Sequence, residues 1–147
     1  MNIFTIGFTK KTAEEFFEAL NNNNIDLLID TRISNNTQLA GFTKASDLHY
    51  FLRELCNASY IHRPDFAPTK KLLNDWRSNK IDWAQYEKEY TDIQEQRGTY
   101  KNFVKDFSDY KNVCILCSEA EPKYCHRRIL AEMIKEHHPD TLNIIHL

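Results

Sequence analysis

The chain is short of the residues that break structure: 3 Gly and 4 Pro in 147 residues. That scarcity excludes a collagen-like, low-complexity or largely disordered chain. It also lacks an excess of either charge, with 19 basic against 21 acidic residues and a formal charge of −2. No whole-surface attraction to nucleic acid follows, although a local basic pocket stays open. No apolar run approaches the roughly 18 residues needed to span a bilayer, so no membrane partner is expected. The first residues, M-N-I-F-T-I-G-F-T, lack the basic lead and long apolar core of a signal peptide. A cytoplasmic protein is the expectation, with Cys56, Cys114, Cys117 and Cys125 as reduced thiols. The N-x-S/T triplets at Asn35 and Asn57 then carry no glycosylation. Neither G-x-x-x-x-G-K nor G-x-G-x-x-G occurs, which removes the usual support for an ATPase or a Rossmann dehydrogenase.

What is present is an alternation of strand-like and helix-like patterns. Five β-like runs cover 3–8, 26–31, 59–62, 113–117 and 143–147. The second and fourth, around L-L-I-D and V-C-I-L-C, are nearly continuous apolar stretches, as in strands covered on both faces. Thr12 and Glu15 form a capping box ahead of Phe16, Phe17 and Leu20. Asn21–Asn24 reads as a helix stop and turn. Leu48, Phe51, Leu52 and Leu55 recur at helical spacing, as do Trp83, Tyr86, Tyr90 and Ile93. Gly98 stops that helix, Thr99 can cap another, and the last helix runs from about Cys125 to Glu136.

These patterns predict an α/β fold: a single three-layer domain over 1–147, with a mostly parallel five-stranded, Rossmann-like sheet and helices on both faces. Right-handed crossovers predict the strand order 3-2-1-4-5. A helical insertion, 64–111, is too long for a simple crossover and could cap the site. The Trp and Tyr stripe within it reads as core rather than as a base-stacking platform.

In an open parallel sheet, ligands sit beyond the carboxyl ends of the strands. The first run delivers Thr9 there, the second Asp30 and Arg32, the third His62, and the fourth Cys117 and Glu119, followed by Cys125, His126 and Arg127. Four strands ending in polar or ionisable residues at one edge is the main argument for a site. Cys125, at a helix N-terminus beside Arg127 and Arg128, suits a thiolate; the alternative is a buried or merely capping cysteine. Cys117 is a second candidate, also readable as a small core residue, while Cys114 and Cys56 read as core. Arg32 and Arg127 suit a bidentate hold on phosphate or carboxylate. Internal pairing is the alternative, Arg32 with Asp30 or Glu119 and Arg127 with Glu119. His62 and His126 could move protons or simply hydrogen-bond. A zinc site from Cys117, Cys125, His126 and His62 is chemically available, but C-x7-C-H lacks the short spacing of usual zinc knuckles. No cofactor and no metal ligand is therefore implied.

The chain resembles the domain of unknown function 488 family. The shared pieces are T-I-G-F-T at 5–9 (close to that family's T-I-G-H-S), L-L-I-D-T-R at 27–32, G-F at 41–42, Y-I-H at 60–62, L-C-S-E-A-E-P-K-Y-C-H-R at 116–127 and the final I-I-H-L. The resemblance implies a compact α/β fold and a shared site of Arg32, His62, Cys117, Glu119, Cys125, His126 and Arg127, without a reaction. Phe8 stands where the family usually has histidine, and I-S-N-N-T replaces the common proline and serine after Arg32, a change expected to reshape one rim of the cleft.

The leading expectation is an enzyme acting on an anionic substrate, phosphorylated or a nucleotide or nucleic-acid component. Cys117, Glu119, Cys125 and His126 would do the chemistry, and Thr9, Asp30, Arg32, His62 and Arg127 would bind. A thiol- or acid/base-dependent transferase or hydrolase fits, although the C-x5-R loop of thiol phosphatases is missing. A non-catalytic nucleotide or nucleic-acid binding module and a metal-supported site are the alternatives.

Overall fold

The computed structural model describes residues 1–36, 40–140 and 142–147. All five strand-like runs form strands: β1 (Asn2–Gly7), β2 (Leu27–Asp30), β3 (Ser59–His62), β4 (Asn112–Cys117) and β5 (Asn143–His146). They make one sheet in which every pairing is parallel. β1, β2 and β4 are almost wholly buried, as their apolar runs require. Alternate residues feed two cores. Ile3, Leu27, Ile29, Val113 and Ile115 face one, and Phe4, Ile6, Leu28, Cys114 and Leu116 face the other. The second core is closed by α1 (Ala13–Asn22) and α2 (Ala45–Phe51). The first is closed by α3 (Lys70–Arg77), α4 (Trp83–Arg97), α5 (Phe103–Asp106) and α6 (His126–His137). The result is an α/β sandwich of three layers.

The strand order is β3-β2-β4-β1-β5, not the expected 3-2-1-4-5. β4 enters between β2 and β1, so the first crossover skips one strand position. Polar contacts at both ends of β2 fix this choice. The Asp26 carboxylate accepts the backbone N–H groups of Lys111 and Asn112. At the other end, the Thr31 hydroxyl and N–H both donate to the Leu116 carbonyl. β4 also carries an unbroken buried run, which gains most from having a partner on each side.

Local signals mostly hold. Thr12 and Glu15 form the reciprocal capping box, and Asn24 adopts a left-handed turn conformation after α1. Gly98 ends α4 at φ +66°. Thr99 makes no side-chain cap; it opens a 3-10 turn that leads into α5, which still points Phe103 and Phe107 inward. Leu55 is exposed, because α2 widens into a π turn at Leu52–Cys56 and loses the inward register. α3 escaped the periodicity reading, although Thr69 caps it by accepting the Leu72 N–H. No helix among the described residues is long and apolar enough to cross a membrane.

Candidate functional site

The parallel registers bring the strand ends side by side: His62 opposite Asp30, Asp30 opposite Leu116, and Gly7 opposite Cys117. Because β4 is central, Cys117 stands in the middle of this edge. The chain then loops over the sheet and returns at Cys125, the N-cap of α6. Cys125 is extended (φ −140°, ψ 139°) and its side chain makes no capping bond. Its thiol is instead turned toward the sheet, where its sulfur meets that of Cys117 in a disulfide. Reduced thiols were expected at all four cysteines; only Cys56 and Cys114 are free. The two sulfurs converge because the loop folds back onto the strand end, which residue spacing does not reveal. Cys114 lies on the opposite sheet face, and burial pushes its thiol far up.

His126, the first residue of α6, completes the cluster. Its Nδ1 lies 4.0 Å from Cys125 Sγ. Its Nε2 lies 3.2 Å from the Thr31 carbonyl oxygen and 3.0 Å from the Thr31 hydroxyl. Burial pushes the imidazole down to about 4, so it is neutral at pH 7. A neutral ring that donates Nε2–H to the carbonyl keeps a lone pair on Nδ1, toward the sulfur.

Both arginines differ in role from the anion clamps that the sequence suggests. Arg32 is buried and forked onto Asp30, Nε at 2.8 Å and Nη2 at 2.7 Å, with further bonds to the Thr43 carbonyl and hydroxyl. Residues two apart on an extended segment point the same way, so this is the internal pairing weighed above. Arg127 is completely buried. Its Nη1 donates to Cys117 Sγ at 3.0 Å and to the Glu119 carbonyl, and its Nη2 donates to the Ala120 carbonyl. Burial lowers its pKa to about 10, which leaves it charged at neutral pH. One guanidinium thus ties the loop to the sulfur. Arg127→Lys should keep the charge but lose the fork, at a cost of about 2 kcal/mol from unpaired buried carbonyls. Urea denaturation at neutral pH checks this.

The cluster opens into a cavity of about 340 Å³. Of the nine expected site residues, Arg32, Cys117, Glu119, Cys125 and His126 line it, and Thr9, Asp30, His62 and Arg127 do not. Exposed Thr9 pins the end of β1 to the Ser118 carbonyl. Asp30 is consumed by Arg32, and His62 Nε2 lies 2.7 Å from the Arg32 carbonyl oxygen, away from the sulfurs. Glu119 gives its carbonyl to Arg127 while its exposed side chain stays on the cavity. Phe8 lies buried under the Arg32 guanidinium, 5.3 Å from the ring centre. Of the altered stretch after Arg32, Ile33 and Ser34 line the cavity and Thr37 lies outside the described residues.

The sequence offered the 64–111 insertion as a cap over the site but did not reveal the residues of this opposite wall. The wall comes from α3 and α4, within the 64–111 segment: Lys70, Asn74, Trp76, Arg77 and Tyr86. Trp76 meets Trp83 and Tyr124 at 5.3 and 6.2 Å between ring centres, and Trp83 stacks on Tyr86 at 4.8 Å. The expected core role holds for Tyr86 and Tyr90, yet Tyr86 also faces the cavity. Lys70 and Arg77 make no hydrogen bond or ion pair among the described residues. The one available signal was Pro68-Thr69 ahead of K-K-L-L, a helix start that would have put Trp76 and Arg77 one to two turns in.

A family model described as domain of unknown function DUF488 matches residues 12–134. The chain belongs to the DUF488 family. The match spans α1 to α6, so the DUF488 region includes both the sulfur–imidazole cluster and the helical wall facing it. No curated protein and no solved structure matches the chain at a significant level.

Proposed function

We propose that this DUF488 protein is an enzyme acting on a nucleotide-like substrate, a planar ring carrying an anionic group. The observation that carries this reading is the composition of one cavity: aromatic Trp76, Tyr86 and Tyr124, the cations Lys70 and Arg77, which have no hydrogen-bond or ion-pair partner among the described residues, and the Cys117–Cys125–His126 cluster. Aromatic faces suit a base and are indifferent to its identity. The cations suit phosphate and replace Arg32 and Arg127, which are occupied elsewhere. Glu119 supplies an acid/base group beside the bound ring, and Cys117 and Cys125 supply thiolate nucleophiles once a dithiol reductant has opened the bridge between them and been oxidised in its place.

The only two tryptophans, Trp76 and Trp83, are adjacent at this wall, so their fluorescence reports binding. Nucleoside monophosphates should quench it. Arg77→Ala should weaken that binding about tenfold, the ~1.4 kcal/mol of one charge-assisted contact, and leave a nucleoside without phosphate unaffected. No response to any nucleotide or short oligonucleotide at millimolar concentration would sink the substrate class. Binding without turnover would leave a binding module, and turnover surviving both Cys117→Ser and Cys125→Ser would leave an enzyme that does not depend on its thiols.

A further inference from the structure

We propose that Cys117, Cys125 and His126 are ligands of a single zinc-type divalent ion whose fourth coordination position opens onto the cavity. The inference concerns the same site as the reading above but does not need the nucleotide.

Four observations carry it. The three donor atoms lie within 4.8 Å of one another. Cys117, Cys125 and His126 are 1%, 3% and 9% exposed, so the donors are nearly dry. The Cα atoms of the two cysteines are 7.7 Å apart, wider than the roughly 4.4–6.8 Å that suits a direct sulfur–sulfur bridge. Two thiolates on one tetrahedral ion, at about 2.3 Å each, sit about 3.8 Å from each other and favour the wider backbone spacing. Finally, the surroundings orient two of the three donors. Thr31 takes the far nitrogen of His126, which leaves Nδ1 as the ligating atom, and Arg127 donates to Cys117 Sγ. A ligating histidine whose other N–H is held by a backbone carbonyl is the usual outer-shell arrangement of metal sites.

The spacing that argues against zinc in the sequence has a structural answer. Cys117 comes from a strand end and the other two donors from a helix start, so no knuckle is needed. Cys125 and His126 are adjacent, and neighbours within a helix would diverge by about 100°. The extended backbone at Cys125 lets both side chains converge instead. Two thiolates and a divalent cation sum to zero charge, which a buried site tolerates. Three protein donors leave one tetrahedral position vacant, as catalytic zinc sites do. All three residues and Glu119 line the cavity, so a water on the ion would share that space with a carboxylate able to take its proton.

Loading requires both cysteines as thiolates. The bridged pair is the two-electron oxidised form; a dithiol reductant converts it to two thiols and is itself oxidised to a disulfide. Metal binding then releases one proton from each thiol.

The test uses full-length protein, reduced, freed of metal and titrated anaerobically with cobalt(II) and then zinc(II). One equivalent of cobalt should bind, giving a thiolate-to-cobalt charge-transfer band and the intense d–d bands of a tetrahedral ion, and zinc should abolish both. Cys117→Ser and Cys125→Ser should each weaken zinc by at least the ~10–100-fold that outer-shell losses alone cost. His126→Gln should shift the d–d bands, and Cys56→Ser should change nothing. Should a ligand variant fail to fold, alkylation of the wild type decides, because zinc must protect two thiols that are otherwise reactive. The proposal falls if the reduced protein shows no charge-transfer band, or if the two cysteines prove no better protected with zinc than without it.

Discussion

Gly7→Ala is expected to leave the chain unable to reach this fold. A Cβ at Gly7 would stand 1.7 Å from the Glu119 carbonyl oxygen, 2.6 Å from its carbon and 2.9 Å from Arg127 Nη1. The obstacle is backbone, not a side-chain tip that could swing away. That carbonyl is also held in place, since it accepts from the buried Arg127. Gly7 is therefore needed for space at the edge where β1 meets β4. Relieving the clash means lifting the 118–125 loop, which would break the Arg127 fork and separate Cys117 from Cys125. Overpacking together with a broken buried network puts the cost at more than ~4 kcal/mol, a large share of the ~5–15 kcal/mol that holds a typical domain. Soluble yield and a urea unfolding curve are the readouts. Gly41→Ala is the control, because a Cβ there meets nothing within 4 Å and should be neutral. A Gly7→Ala protein melting within about 2 °C of the parent would mean that the loop does not rest on this strand end.

The edge that carries the candidate site could be read from the sequence because parallel strands all end there, and β2 and β4 announced themselves by near-continuous apolar runs. The order of strands was not, because it hangs on contacts such as Asp26 with the Lys111 and Asn112 amides, 85 and 86 residues away. No local pattern encodes such a choice. The same limit applied to roles. Composition put two arginines at the edge, but a guanidinium facing a substrate and one facing a carboxylate read alike in sequence. For Arg32 the partner is Asp30, two residues back, a pairing the sequence offered only as the alternative. For Arg127 the partners are backbone carbonyls of Glu119 and Ala120, which carry no residue signature at all. The residues of the aromatic and cationic wall escaped because most of them sit on α3, where Leu72 is the only fully buried residue and the apolar periodicity is correspondingly thin. The convergence of Cys117, Cys125 and His126 depends on one extended residue at a helix cap, a backbone angle and not a motif.

Asp30→Ala should be the next most damaging change, and it separates the two roles available to Arg32. Asp30 has no exposed surface and accepts from the Arg32 amide, Nε and Nη2 and from the Tyr60 hydroxyl. Burial, reinforced by the charge on Asp30, pushes the Tyr60 phenol well up, so that hydroxyl remains a donor. Removing the carboxylate strands a guanidinium that is 4% exposed, at a cost of about 3–5 kcal/mol in urea denaturation. Deleting both charges is a different matter, since an apolar pair of similar volume avoids the desolvation penalty. Asp30→Ala combined with Arg32→Met should accordingly recover much of the stability lost by Asp30→Ala alone. Were Arg32 instead a substrate clamp, Asp30→Ala would free it toward the cavity it already lines, tightening anion binding with little loss of stability. Stability lost in the single variant and regained in the double, with nucleotide quenching unchanged in the double variant, assigns the pair to holding β2 in place and leaves the anion to Lys70 and Arg77.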